Sequence, residues 1–266
     1  MRESWKRQIA LVVLPVDEFT GNVIIDPALA ITAGDMGKPL IKAEGFRVFS
    51  VETTDTGKLS AEQNAEKMNI EVTLRGSFYQ KMQISVPFRQ IDRKNPVIKA
   101  GMKPSRSYPF PPGTVYIEGM LPEHAVLWVA RAEGPGALRL RVDARAGDDR
   151  LHIHQQELES RVGSSYLLLG KGDEEREWVT CAQTADGAHV TEGIYQLKEC
   201  ICRDYMHSVA KLYKCLCYES DVLGRDCFLA LPGEPGREMT ICCHLTSDHR
   251  FKVRGGETLQ LDFSQM

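Results

Sequence analysis

The stretch Lys103–Thr114, KPSRSYPFPPGT, decides how the chain is divided. Pro104, Pro109, Pro111 and Pro112 each fix φ and withhold a backbone donor, so neither a helix interior nor a central strand fits there. Such a composition predicts a stiff, extended connector. On both sides of it, alternating apolar segments are separated by turn signals. The fold class that follows is all-β: two antiparallel β-sandwiches, residues 1–103 and 114–266, joined by a Pro-rich linker at 104–113. Tyr108 and Phe110 flank Pro109 on a backbone that cannot close an ordinary ladder. Their rings are therefore expected to dock on a domain or a partner.

Toward the N-terminus, Ile9–Leu14 is a continuous apolar run, as in a strand covered on both faces, and Asp17–Gly21 (DEFTG) supplies a turn. Arg2, Lys6 and Arg7 precede this run, but it is short, Asp17–Glu18 follows, and no small-residue cleavage site is present. A first strand is the better reading than an export signal, and a cytoplasmic product is expected. Gly45–Val51 (GFRVFSV) is aromatic and β-branched, hence a strand. Ser60–Met68 carries a capping-box spacing, Ser60 to Gln63, that predicts one or two helical turns. Ile70, Val72 and Leu74 alternate with polar residues, and Met82, Ile84 and Val86 do so again after Gly76. This is a strand–turn–strand unit with one wet face. The strand edge at Met82, Ile84 and Val86 is a candidate interface for β-augmentation by a partner chain.

Toward the C-terminus, Val126–Ala130 and Leu138–Val142 are strands, the latter with Arg139 and Arg141 opposite Leu138, Leu140 and Val142. Further short strands are expected at Tyr166–Leu169, Glu177–Cys181, Ile194–Cys202, Leu212–Tyr218, Cys227–Leu231, Met239–Leu245 and Thr258–Phe263. Many short strands without sustained helical periodicity indicate sandwiches. An alternative division sets 125–190 apart as a third domain.

The residues Gly45, Phe46, Val48, Phe49, Phe78 and Tyr79 lie in an order that resembles the transthyretin-like domain, also called carboxypeptidase-regulatory-like or prealbumin-like. Ser220-Asp221-Val222-Leu223-Gly224, Phe228 and Leu231-Pro232-Gly233 resemble a later passage of that family, with Arg225, Asp226 and Cys227 lengthening its turn. The likeness covers about the first hundred residues and a piece near 212–263, and implies a β-sandwich. Such a domain followed by the Lys103–Thr114 connector is also similar to accessory proteins of bacterial contractile injection systems and phage-tail-like particles. That similarity implies a structural or assembly role.

Bulk properties narrow the function classes. Across 266 residues the net charge is −3, which gives no global attraction to nucleic acid or anionic membranes. With 42% hydrophobic and 26% charged residues the chain is too apolar for disorder, and no apolar run is long enough to form a membrane span. All eight cysteines lie between Cys181 and Cys243, which without an export signal favours free thiols over a disulfide framework.

No catalytic residue is assigned. His154-Gln155-Gln156-Glu157 has a metallocarboxypeptidase spacing but lacks a third ligand and a catalytic domain. His152 and His154 share one strand face, and a solvated polar face explains an isolated i,i+2 pair better than half a zinc site does. Cys200, Cys202, Cys215 and Cys217 would share one face of a hairpin in the register 200 opposite 217. Flat placement suits zinc poorly, so core-filling thiols are expected, with a Cys-rich metal module as an alternative. Gly170-Lys171-Gly172-Asp173 lacks the rest of a phosphate loop, and Asp186 with His189 has no nucleophile partner. No cofactor is expected. The leading reading is a non-enzymatic structural or adaptor protein that self-associates or joins protein subunits of a larger assembly. The rival is a carbohydrate- or surface-binding module, for which Trp5, Trp128 and Trp178 are the aromatic candidates.

Overall fold

The computed structural model describes residues 5–54, 69–87, 91–92, 94–133, 138–154, 165–170, 175–181, 193–264 and 266. The predicted helical turns at Ser60–Met68 lie outside these residues. Among the described residues strands dominate, and the only helical segment is α1 (Ser220–Leu223), a single turn. The chain is all-β and built from several sheets. It divides into two units, Met1–Phe110 and Pro111–Met266.

The first unit is organised around β1 (Trp5–Asp17), whose residues from Ala10 to Asp17 are all buried. Its neighbours explain this. It pairs antiparallel with β4 (Arg47–Thr54) and parallel with β7 (Val97–Met102), while β3 (Leu40–Ile41) extends the sheet beyond β4. A second sheet consists of β2 (Ala30–Ala33), β5 (Asn69–Gly76) and β6 (Tyr79–Pro87), in the order β2-β5-β6. Leu11, Val13 and Phe49 from the first sheet share one core with Ile31, Ala33, Val72, Leu74 and Val86 from the second. The period-2 alternation of β5 therefore gives the expected dry face and wet face.

One buried residue in this unit runs against the apolar pattern. Arg47 is fully buried opposite Val13, and its guanidinium donates to the carbonyls of Gly45 (2.9 Å) and Asp26 (2.7 Å). Burial lowers its pKa, and the charge of Asp26 offsets part of that effect.

The expected linker 104–113 is divided between the units. Residues 104–110 are folded onto the first: Gln80 N–H donates to the Lys103 carbonyl, Ser105 N–H to Phe78, and the Ser107 hydroxyl to Ser77. These backbone bonds make one antiparallel bridge, Tyr79 opposite Pro104, and a turn from Ser105 to Tyr108 continues from it in place of a longer ladder. Gly113 belongs to the second unit, where a Cβ at its φ of +89° would meet the ring of Pro235 at 2.6 Å.

In the second unit, β8 (Val115–Met120), β17 (Asp226–Leu231) and β20 (Thr258–Leu261) form a sheet in the order β17-β8-β20. It faces a sheet of β9 (Val126–Arg131), β16 (Leu216–Glu219), β18 (Glu238–His244) and β19 (Asp248–Arg254), ordered β16-β9-β18-β19. Val115, Ile117, Leu127, Val129, Leu229, Ile241 and Cys243 lie in their common core.

Between β9 and β16, which are paired neighbours, the chain inserts a six-stranded sheet. Its strands are β10 (Leu138–Ala144), β11 (Arg150–His154), β12 (Ser165–Leu169), β13 (Arg176–Thr180), β14 (Ile194–Gln196) and β15 (Tyr205–Lys214), ordered β13-β12-β15-β10-β11-β14. One face buries Leu140, Val142, Leu151, Ile153, Leu168 and Leu212. The other meets the back of the β16-β9-β18-β19 sheet at its β12 end, through Ala130, Ala132, Leu167, Leu169, Tyr213, Cys215 and Cys242. The inserted sheet lies within the second unit and runs from Leu138 to Lys214, offset from the alternative bounds 125–190 because β9 belongs to the flanking sheet and β15 to the insertion.

The hairpin expected to align Cys200, Cys202, Cys215 and Cys217 does not form. Cys200 and Cys202 precede β15, which pairs with β10 and β12, whereas Cys217 lies opposite Trp128 on β9. Leu212–Tyr218, expected as one strand, is two strands of different sheets that break at Cys215. Sequence proximity favoured local pairing, but the burial of Leu212 against the insertion core and Tyr218 against the flanking core separates the two halves.

Candidate functional site

Among the described residues, the outer face of the insertion is covered at its β13-β12-β15 end, and the β10-β11 end carries polar side chains. Period-2 alternation puts Leu140 and Val142 into the core and turns Arg141 and Asp143 outward. On β11, Leu151 and Ile153 point inward and His152 and His154 outward. The β10–β11 register sets Asp143 directly opposite His152, and Arg141 opposite His154. The pleat thus gathers one carboxylate and two imidazoles on one face.

Their geometry is close. His154 Nε2 lies 2.5 Å from Asp143 Oδ2, and the two imidazole centroids are 4.2 Å apart. A carboxylate only accepts, so His154 carries its proton on Nε2 in this pair. One potential donor atom from each of Asp143, His152 and His154 lies within 4.8 Å of the others, and all three residues are half-buried. Gly193, with φ +85°, backs His152: a Cβ there would stand 3.3 Å from the imidazole Nε2 and 2.7 Å from the Ile153 carbonyl oxygen. Asp143 was not singled out from sequence. The signal lay in the hairpin LRLRVDARAGDDRLHIH folded about Gly147, where 143 and 152 become cross-strand partners. Glu157, Lys171, Asp186 and His189 lie outside the described residues.

Comparison of the chain with protein-family models, curated proteins and solved structures finds no match.

The remaining candidates serve as packing or as strand edges. Tyr108 and Phe110 do dock, against the first unit's own Phe19 and Tyr79, with ring centroids 5.9 Å (Phe19–Tyr108), 5.3 Å (Phe19–Phe110) and 5.8 Å (Tyr79–Tyr108) apart. Met82, Ile84 and Val86 turn their side chains to the core of the first unit, leaving Lys81, Gln83 and Ser85 on the solvent face. All eight cysteines are free; Cys181, Cys215, Cys227, Cys242 and Cys243 are buried, while Cys200 and Cys202 are exposed. Burial pushes the Cys181 thiol up to about 11 and Cys215 well above its ordinary range, so these are protonated core groups rather than thiolate nucleophiles.

Trp128 and Trp178, fifty residues apart, come together with His244 at ring-centroid separations of 5.7 to 6.0 Å. The rings are mutually tilted by 37° to 54° and do not form a flat stacking platform. Asp248 Oδ1 accepts from Trp178 Nε1 and His244 Nδ1, both at 2.7 Å, and Oδ2 accepts from Arg176 Nε at 3.1 Å. Arg176 and Trp178 belong to the insertion; His244 and Asp248 belong to the flanking sheet. The cluster is a clamp between them.

Proposed function

We propose that the protein is a non-enzymatic structural or adaptor subunit of a multi-subunit assembly, built of tandem β-sandwiches, the first of them transthyretin-like. The sandwich reading is supported by the seven described strands of the first unit, which lie in sheets of four and three with one common core. The assembly reading rests chiefly on β6. Beyond Gln80, where the connector covers its start, no described strand pairs with its outer edge. Met82–Val86 is a regular stretch of edge backbone that a partner strand can extend, with specificity from alternate side chains. A particle related to contractile injection systems or phage tails is the assembly to which the sequence resemblance points.

The test is sedimentation of the native protein beside the double variant Gln83→Lys/Ser85→Lys. Both side chains are on the solvent face, so the core of the unit should be retained, and with Lys81 they would set a row of charge along the edge that opposes strand addition. The native protein is expected to sediment in a large complex and the variant as a folded monomer. A native protein that sediments as a monomer, or that hydrolyses peptides or glycans, overturns the proposal.

A further inference from the structure

The geometry points to a divalent transition-metal site at Asp143, His152 and His154, a three-ligand centre for zinc on the polar β10-β11 end of the insertion's outer face. This is independent of the assembly reading. An i,i+2 histidine pair alone is two ligands on a flat surface, but here the neighbouring strand adds a carboxylate directly opposite His152. Two imidazole nitrogens and one carboxylate oxygen form a donor set suited to zinc and related borderline ions, and unlike the all-oxygen sets of magnesium and calcium.

The spacing fits with small side-chain rotations. Bond lengths of about 2.0 Å put tetrahedral zinc ligands roughly 3.3 Å apart. The His154–Asp143 pair at 2.5 Å must open slightly, and the three donors, all within 4.8 Å, must close around the ion. Binding at His154 Nε2 takes the other neutral tautomer: the ring proton moves through solvent from Nε2 to Nδ1, and the Nε2 lone pair is then free for the metal. His152 has space to rotate because Gly193 presents no side chain beside its ring. Arg141, exposed opposite His154, adds positive charge on the same face. It opposes the cation at long range and favours an anion or hydroxide in the remaining coordination position. The covered end of the face cannot supply a fourth protein ligand, since Leu167, Leu169 and Tyr213 there are packed against the flanking sheet. Among the described residues no fourth ligand joins the three, and the remaining coordination position is open to water or a small anion.

The experiment is equilibrium dialysis of the full chain against zinc chloride, with cobalt(II) as the spectroscopic probe. Because Cys200 and Cys202 are exposed, the triple variant Cys200→Ser/Cys202→Ser/Cys217→Ser serves as the background, which removes thiolate binding. One equivalent of zinc is expected in that background, with a cobalt spectrum free of thiolate charge-transfer bands. Loss of a group in the outer shell of a metal site typically costs about 10–100-fold in affinity, so Asp143→Asn, His152→Ala and His154→Ala should each weaken binding by more than roughly 100-fold. Asp143→Asn keeps the shape of the side chain, and far-ultraviolet circular dichroism establishes that each variant is folded. Zinc bound equally well by folded Asp143→Asn and His154→Ala, or no binding in the triple-serine background above that of magnesium, overturns the site.

Discussion

Replacing Asp17 by Ala is expected to destabilise the first unit by about 3 kcal/mol. The carboxylate is buried at the end of β1, yet it is saturated with donors. Phe19 and Thr20 donate their backbone N–H groups to Oδ1 at 2.8 and 3.2 Å, and Tyr108 and Tyr79 donate their hydroxyls to Oδ2 at 2.6 and 3.1 Å. Deleting it strands two turn amides, at about 1–3 kcal/mol for each donor left without a partner, while the half-exposed phenols can turn to water. Asp17→Asn retains the shape and one acceptor and should cost about 1 kcal/mol. The measurement is urea denaturation of the full chain followed by fluorescence, and coincident curves for wild type and Asp17→Ala would show that the cluster does not hold the connector.

The same cluster predicts alkaline sensitivity. Burial, then the hydrogen bond to Asp17 and its charge, pushes Tyr108 from 10.0 up to about 12, and Tyr79 moves the same way. A phenol whose pKa is higher in the folded state contributes stability that is complete below the unfolded value and is lost as pH rises through the folded one. Stability should therefore fall between pH 10 and about 12. Tyr108→Phe should flatten that fall, at the cost of one hydrogen bond at neutral pH.

Asp248→Ala is expected to loosen the insertion from the flanking sheet and cost about 2 kcal/mol, because this one carboxylate accepts from Trp178 and Arg176 of the insertion while also holding His244 of its own sheet. Trp178, His244 and Arg176 lose their common acceptor, and the two tryptophans gain solvent. Hydrogen exchange should accelerate on β13 while β8 and β17 remain protected, and tryptophan emission should shift to the red. Uniform exchange in wild type and variant would show that the packing of Leu167, Leu169 and Cys215 holds the junction unaided. Burial acts to raise the Asp248 pKa, but the hydrogen bonds from Trp178, His244 and Arg176 outweigh it and hold the group below its ordinary 3.8. A depressed carboxylate contributes stability above its unfolded pKa and loses it as pH falls through the folded one, so the clamp should weaken below about pH 4.

The strands and their faces could be read from the chain because side-chain direction alternates locally. Ile70, Val72 and Leu74 had to share a face, as did His152 and His154, whatever they packed against. Tyr108 and Phe110 had to leave water because their proline-bounded backbone offers no ladder to hide in. Which partners these groups meet was not available locally. Asp143 joins the histidines only through the β10–β11 register, and Trp128 meets Trp178 only because the insertion folds back on the strand that precedes it. The cysteine register assumed that neighbours in sequence pair as a hairpin, whereas burial of Leu212 and Tyr218 in two different cores separates them. Period-2 alternation by itself determined the all-β character and the wet and dry faces of this protein. Strand order, the inserted sheet, the Asp248 clamp and the Asp143–His152–His154 cluster were decided by tertiary packing, since long-range pairing depends on which apolar faces find one another and not on any local preference of the backbone.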